Sequence, residues 1–270
     1  MMMNRNGLPW KRRIPGLMLG SVLGFAGGVV SPAQPGGEAD ESDESTARID
    51  RILTNLQRRS DGLKDIRCKV RFVEDDQVNL SKGIKEGEIL FLMTEPNPHF
   101  LIRFDKSVRD GVVGKREWYL FDGRFLYEAI ERLQQVTRRD IAPPGEKIDL
   151  FDLEKSPFPL PFGQKKETIL RNFDVTLAAP ASTDPPGTDH LVCIPKPNSA
   201  MYRKCDKLEL FVRRDVHLPS RLVVTKNEEY EINATDLLDL SEKSMNTGVT
   251  PDDFTRPKAW RKYEEIVETP

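Results

Sequence analysis

From residue 66 to residue 137 the chain keeps returning to one pattern, apolar side chains at alternate positions in short runs broken by turn residues. Ile66, Cys68, Val70 and Phe72 point one way while Arg67, Lys69 and Arg71 point the other, which is the signature of a half-buried β-strand. Further strands are expected at Glu88 to Met93, Phe100 to Phe104, Trp118 to Phe121, Phe125 to Ile130 and Gln134 to Thr137. Glu95-Pro96-Asn97-Pro98, Arg109-Asp110-Gly111 and Asp122-Gly123 separate them, and connections this short favour antiparallel neighbours.

Ile49, Ile52, Leu53 and Leu56 recur instead at helical spacing, with Gly62 as a stop signal, so an amphipathic helix opens the domain. Ile148, Leu150, Phe151 and Leu153 suggest a short helix that runs into a stiff apolar loop, Ser156 to Gly163, holding three prolines with Phe158, Leu160 and Phe162. A second short helix is expected at Lys165 to Arg171. Strands then resume at Phe173 to Leu177, Leu191 to Ile194, Leu208 to Val212, Ser220 to Thr225 and Glu229 to Thr235. The sum is about eleven strands, with no fixed-period repeat that would indicate a solenoid or propeller. One sheet of that length curls or closes, and the helix and the Phe-rich segment are the natural covers for its concave face.

Arg5, Lys11, Arg12 and Arg13 precede an uncharged stretch, Ile14 to Val30, followed by Ser31-Pro32-Ala33. This reads as an export signal over residues 1–33, with cleavage after Ala33; an uncleaved N-terminal anchor is the alternative. Residues 34–45 are acidic, small and without large apolar side chains, and read as a disordered tether ahead of a folded domain at residues 46–270. The expected location is the periplasm or cell envelope.

Chemistry is harder to find. The 41 basic and 43 acidic side chains give a formal net charge of -2, which supplies no field for nucleic acid. Local basic spots such as Arg138-Arg139 and Arg213-Arg214 read as solvated strand faces. His99, His190 and His217 are isolated and show no metal-ligand spacing, so no metal and no cofactor are expected. Asp75-Asp76 and Asp252-Asp253 are adjacent pairs, which a strand would send to opposite faces. No nucleophile elbow, phosphate loop or paired C-x-x-C motif occurs, and the expectation is that the protein is not an enzyme. Of three cysteines, Cys68 alternates with core residues, whereas Cys193 and Cys205 flank a turn and could face each other across a hairpin as a disulfide.

Trp118, Tyr119, Phe121, Phe125, Tyr127, Phe151, Phe158 and Phe162 either fill an ordinary core or line a cavity. The order of signals resembles the LolA/LolB-like periplasmic lipoprotein carriers. That resemblance runs from the opening helix and the strand Ile66 to Phe72 through Gly87-Glu88-Ile89-Leu90, Pro96-Asn97, Leu120 to Tyr127 and Gln134-Gln135-Val136. It continues with Pro157-Phe158, Leu191 to Lys196, Leu208 to Val212, Phe254 and Pro257. The resemblance implies a mainly β protein with α covers, a strongly curved open antiparallel β-barrel whose helices lie over the concave face. It also implies an apolar cavity for the acyl chains of lipids or lipoproteins, lined here by Trp118, Phe121, Phe125, Tyr127, Phe151, Phe158, Leu160 and Phe162. Envelope membrane proteins are the further partners it implies, and the protein is expected to be a monomer. A noncatalytic envelope interaction or sensor domain on the same scaffold is the rival reading. In the carriers an arginine before Pro-Asn holds a lid shut; here that position is Glu95, whose ionised carboxylate cannot donate those bonds.

Overall fold

The computed structural model describes residues 38–142, 163, 165–226 and 230–268. Helix α1 (Glu38–Asp61) is followed by strands β1 (Asp65–Asp76), β2 (Ser81–Leu92), β3 (His99–Arg109), β4 (Val112–Val113), β5 (Glu117–Phe121), β6 (Phe125–Ile130) and β7 (Gln135–Asp140). The second half carries α2 (Lys166–Asn172), β8 (Phe173–Leu177), β9 (Thr188–Pro195), β10 (Lys207–Arg213), β11 (Pro219–Lys226), β12 (Glu231–Leu237) and β13 (Glu264–Glu268). All thirteen strands form one sheet in the order β13-β7-β6-β5-β3-β2-β1-β12-β11-β10-β9-β8, with β4 paired to β3. Its two ends do not join, so the molecule is mainly β with α covers and has the open-barrel form.

Three expectations change. The strands number thirteen among the described residues, not eleven: β4 is too short to show periodicity, and β13 alternates too weakly to be read. The sheet is antiparallel except at its edge, where β13 runs parallel to β7 with Glu265 opposite Val136. Arg138 lies 3.4 Å from Glu265 and Arg139 pairs with Glu268, so complementary charge holds the acidic strand to a basic edge. Finally, α1 begins at Glu38, so residues 38–45 of the expected tether are helical. That stretch lacks glycine and proline, and negative charge suits the start of a helix. Residues 1–37, and with them the expected signal, lie outside the described residues. So does the expected helix around Ile148 to Leu153.

Register assigns the sheet's two faces. Ile66 faces Phe91 across β1–β2, Phe91 faces Phe100, and Phe100 faces Phe121, so these side chains share the inner face. The same face continues through Val70 and Leu237 into β12, and through Thr235 and Leu222 into β11. On the β8–β11 half it is covered by α1, whose Ile52, Leu53 and Leu56 pack with Ile169, Phe173, Leu191, Leu208 and Leu210. Burying each large aliphatic side chain there contributes roughly 1.5–3 kcal/mol. That covering face explains the helical spacing of Ile52, Leu53 and Leu56 in the sequence.

The outer face of β2, β5, β6 and β7 is covered by the chain after β12. Val249, Phe254 and Trp260 pack there on Leu90, Trp118, Leu120, Tyr127, Ala129 and Val136. This segment is pinned by short 3-10 turns at Glu242–Ser244, Pro251–Phe254 and Lys258–Lys262. Thr250 donates from both its backbone and its hydroxyl to the Asp253 carboxylate at 2.8 and 3.2 Å.

Candidate functional site

The inner face of β1, β2, β3, β5 and β6 is apolar at one end and ionic at the other. Ile66, Cys68, Ile89, Phe91, Phe100, Ile102, Phe121 and Leu126 make the apolar floor, all of them buried. Alternation along five neighbouring strands puts them there, one strand after another. The Phe100 and Phe121 rings lie 5.9 Å apart, and Tyr119 meets the Phe104 ring edge-on at 6.2 Å. Toward the other end of the same face, the next inward positions are Glu74, Lys85 and Glu117, while Glu128 and Arg139 flank the floor on its β6–β7 side, opposite Tyr119 and Leu126.

These charges are paired and only partly exposed. Lys85 Nζ lies 2.9 Å from Glu117 and 3.8 Å from Glu74, and 5.9 Å from the centre of the Phe104 ring. Arg109 on β3 reaches across β2 to pair with Glu74, and Arg139 reaches Glu128 at 3.3 Å. Burial, joined by the negative charge of Glu117, Glu128 and Glu74, pushes the Tyr119 hydroxyl well above its ordinary pKa. It therefore stays protonated and can only donate or accept a neutral hydrogen bond there. The inner face thus joins a buried apolar floor to fixed, paired charges.

The structure divides the residues predicted to line one cavity. Phe121 is on the inner face, but Trp118, Phe125 and Tyr127 are on the outer face, because odd and even positions of β5 and β6 project oppositely. Trp118 packs edge-on against Trp260 at 6.0 Å, and Tyr127 lies 6.2 Å from the same ring. Arg124 and Arg138 sit over the Phe125 ring at 4.6 and 4.9 Å. Those three residues bind the C-terminal segment and the sheet edge, not the inner floor. Phe151, Phe158, Leu160 and Phe162 lie outside the described residues.

Glu95 is exposed in the loop between β2 and β3. Beside it Asn97 is buried and donates from Nδ2 to the Gly123 carbonyl at 3.0 Å, while Thr94 Oγ1 donates to the Asn97 carbonyl at 2.7 Å. This loop is thus tied to the β5–β6 hairpin. The cysteines are free thiols, all buried, and the pairing of Cys193 with Cys205 that the sequence left open is not formed. Burial pushes the thiols of Cys68 and Cys205 to about 11 and that of Cys193 to about 12, which leaves them poor nucleophiles.

Sequence reading missed the surroundings of His190. Its ring stacks on Phe211 with centroids 4.1 Å apart, and it lies between Glu209 at 3.2 Å and Asp184 at 3.7 Å. Its partners come from β10 and from the loop before β9, distant in sequence, so spacing alone carried no signal. Among the described residues no three His, Cys, Asp or Glu side chains are grouped to hold a metal ion. No helix among them is long and apolar enough to cross a membrane.

No family model matches the sequence, and no curated protein matches it. Solved structures to which it is similar include three of 10–12% identity. A conserved uncharacterized protein from Thermus thermophilus is 10% identical with a TM-score of 0.48, covering 82% of this chain and 99% of its own. LprF from Mycobacterium bovis is 12% identical with a TM-score of 0.43, covering 77% and 95%. A LolA superfamily protein from Nitrosomonas europaea is 12% identical with a TM-score of 0.33, covering 77% and 97%.

Proposed function

We propose that this protein is an exported, noncatalytic binding protein that holds lipid or lipoprotein acyl chains against the inner face of its open sheet. One observation carries the reading: five neighbouring strands present a continuous apolar floor, Ile66 to Leu126, that is bordered by the paired charges of Lys85 with Glu117 at one end and Glu128 with Arg139 at one side. An acyl chain on that floor would leave water at about 0.8 kcal/mol per methylene, with its polar end at the ionic rim. The floor is closed to solvent in this state, so uptake requires a cover to open, and release requires the same step in reverse. The sequence resemblance to the lipoprotein carriers points the same way. Export from the cytoplasm, with residues 1–33 as the signal, belongs to this proposal.

The near-zero exposure of Phe91, Phe100 and Phe121 favours a second reading, in which the same face is a filled core and the protein acts by contact with an envelope partner. Native mass spectrometry of the protein purified from its own envelope fraction separates the two. Copurified lipid, displaced by a fluorescent fatty acid, supports the carrier. A bare polypeptide that takes up no fatty acid removes it in favour of the interaction domain.

A further inference from the structure

Arg48 and Arg51 lie three residues apart on α1, so they share a helix face. That face meets the end of β10, where Arg213 and Arg214 are adjacent in sequence. A regular strand would send neighbours to opposite faces, but β10 ends at Arg213 and Arg214 already lies in the turn that runs on to His217, whose φ is 55°. The result is a cleft of about 250 Å3 lined by Arg48, Arg51, Asn55, Arg213, Arg214 and His217, with Ile52 and Val212 as its buried apolar floor and Asp189 in its wall. The pair Arg213-Arg214, expected to be a solvated strand face, is instead half of a pocket.

The cleft holds more positive charge than the protein neutralises. Asp189 is shared between Arg48 at 2.8 Å and Arg214 at 3.0 Å, and Arg213 pairs with Asp215. Arg51 is exposed and has no carboxylate partner among the described residues. Two of the guanidiniums are also fixed from behind, since Arg214 Nη2 donates to the Thr188 carbonyl at 2.6 Å and Arg213 Nη1 to the Leu240 carbonyl at 2.8 Å. Fixed forks present their remaining N–H groups without further ordering cost, and planar guanidinium donors match tetrahedral oxyanions in pairs. In a chain whose net charge is -2, this local excess does not follow from composition. Like charges at Arg48 and Arg51 also cost the helix stability unless an anion lies between them.

We infer that this cleft is a binding site for a phosphate group, carried either by a free phosphate or by the headgroup of an anionic lipid. The site lies beside α1 at the end of β10, apart from the apolar floor of β1 to β6, and does not depend on the carrier reading. Isothermal titration with inorganic phosphate at low salt should show saturable binding that weakens as salt is raised. Arg51→Gln, an exposed change that leaves the fold intact, should weaken it by about tenfold, the loss expected for one charge-assisted hydrogen bond. Arg58→Gln, exposed on α1 and outside the cleft, should leave it unchanged. Flotation with phosphatidylcholine vesicles, with and without phosphatidylglycerol, distinguishes the sources. Binding to the anionic vesicles that Arg51→Gln abolishes identifies a headgroup, and phosphate binding without flotation identifies a free anion. No heat with phosphate, equal affinity in Arg51→Gln, or binding of polyglutamate in place of phosphate would overturn the assignment.

Discussion

Asp65 Oδ1 accepts hydrogen bonds from both the backbone N–H and the hydroxyl of Thr247, at 2.6 and 2.8 Å. Gly248 adds a third donor to the same carboxylate at 3.2 Å, and the Asn246 N–H reaches the Asp65 carbonyl at 2.9 Å. Asp65 is buried at the start of β1, so one side chain joins the first strand to the segment that covers the outer face.

Asp65→Ala removes three hydrogen bonds to a buried carboxylate. We expect a loss of about 2–4 kcal/mol, since a bond to a charged group contributes about 1.5–3 kcal/mol and the exposed Thr247 and Gly248 donors recover part of theirs from water. Urea unfolding measures the total. Hydrogen exchange should show protection lost first from residue 247 onward, and uniform loss across the sheet would contradict the pinning role.

Gly87 sits where β3 bulges against β2, with Asp105 as the extra residue between the partners of Glu86 and Gly87. A Cβ there would lie 1.7 Å from the Arg103 carbonyl oxygen and 2.8 Å from the Phe104 Cα, both backbone atoms that cannot swing aside. Gly87→Ala should therefore cost at least about 3 kcal/mol, at the upper end for overpacking. Gly111→Ala, at a turn with φ of 80° and nothing within 4 Å, should cost less because it meets only backbone strain. Thermal unfolding of the two variants side by side tests the order.

How much of this was legible in the sequence follows from what each feature depends on. β6 appears at the residues its alternation predicts, Phe125–Ile130, and β8 at Phe173–Leu177, because a half-buried strand writes its own period. β2 starts at Ser81, seven positions before the expected Glu88, because Lys82, Lys85 and Glu86 pair as ions there and hide the strand behind polar residues. The candidate cavity was misassigned for a different reason. Grouping Trp118 with Phe121 follows aromatic content, whereas parity along β5 puts them on opposite faces, and that parity was already in the sequence. The arginine cleft was not legible, since it needs α1, β9 and β10 brought together.

Opposite faces should give opposite phenotypes. Phe121→Ala and Trp118→Ala each remove a buried aromatic side chain and should each cost about 3–5 kcal/mol. Under the carrier reading only Phe121→Ala should alter uptake of a fluorescent fatty acid, because Trp118 is packed beneath Trp260. If both variants keep wild-type uptake, or lose it equally at matched stability, the inner face is not the lipid site.

His99 supplies a pH signature. Its Nδ1 lies 2.8 Å from Thr94 Oγ1 and its ring 5.4 Å from that of Phe254, under the C-terminal segment. Burial lowers its pKa, and the nearby charge of Asp122 opposes but does not cancel that effect. In the unfolded chain the imidazole takes a proton near its ordinary value of about 6.5. Between that value and the lower folded one, the unfolded state binds more protons, so stability rises with pH across this window. The contribution is fully present above about pH 6.5 and is lost as the pH falls toward the folded pKa. Urea midpoints taken from about pH 7.5 down to 5.5 should therefore decline in the wild type and decline less in His99→Gln. His190 and His217 are common to both proteins, so the difference in slope isolates His99. Parallel slopes would mean that the ring is as accessible to protons in the folded protein as in the unfolded chain, and that the C-terminal segment does not seal it.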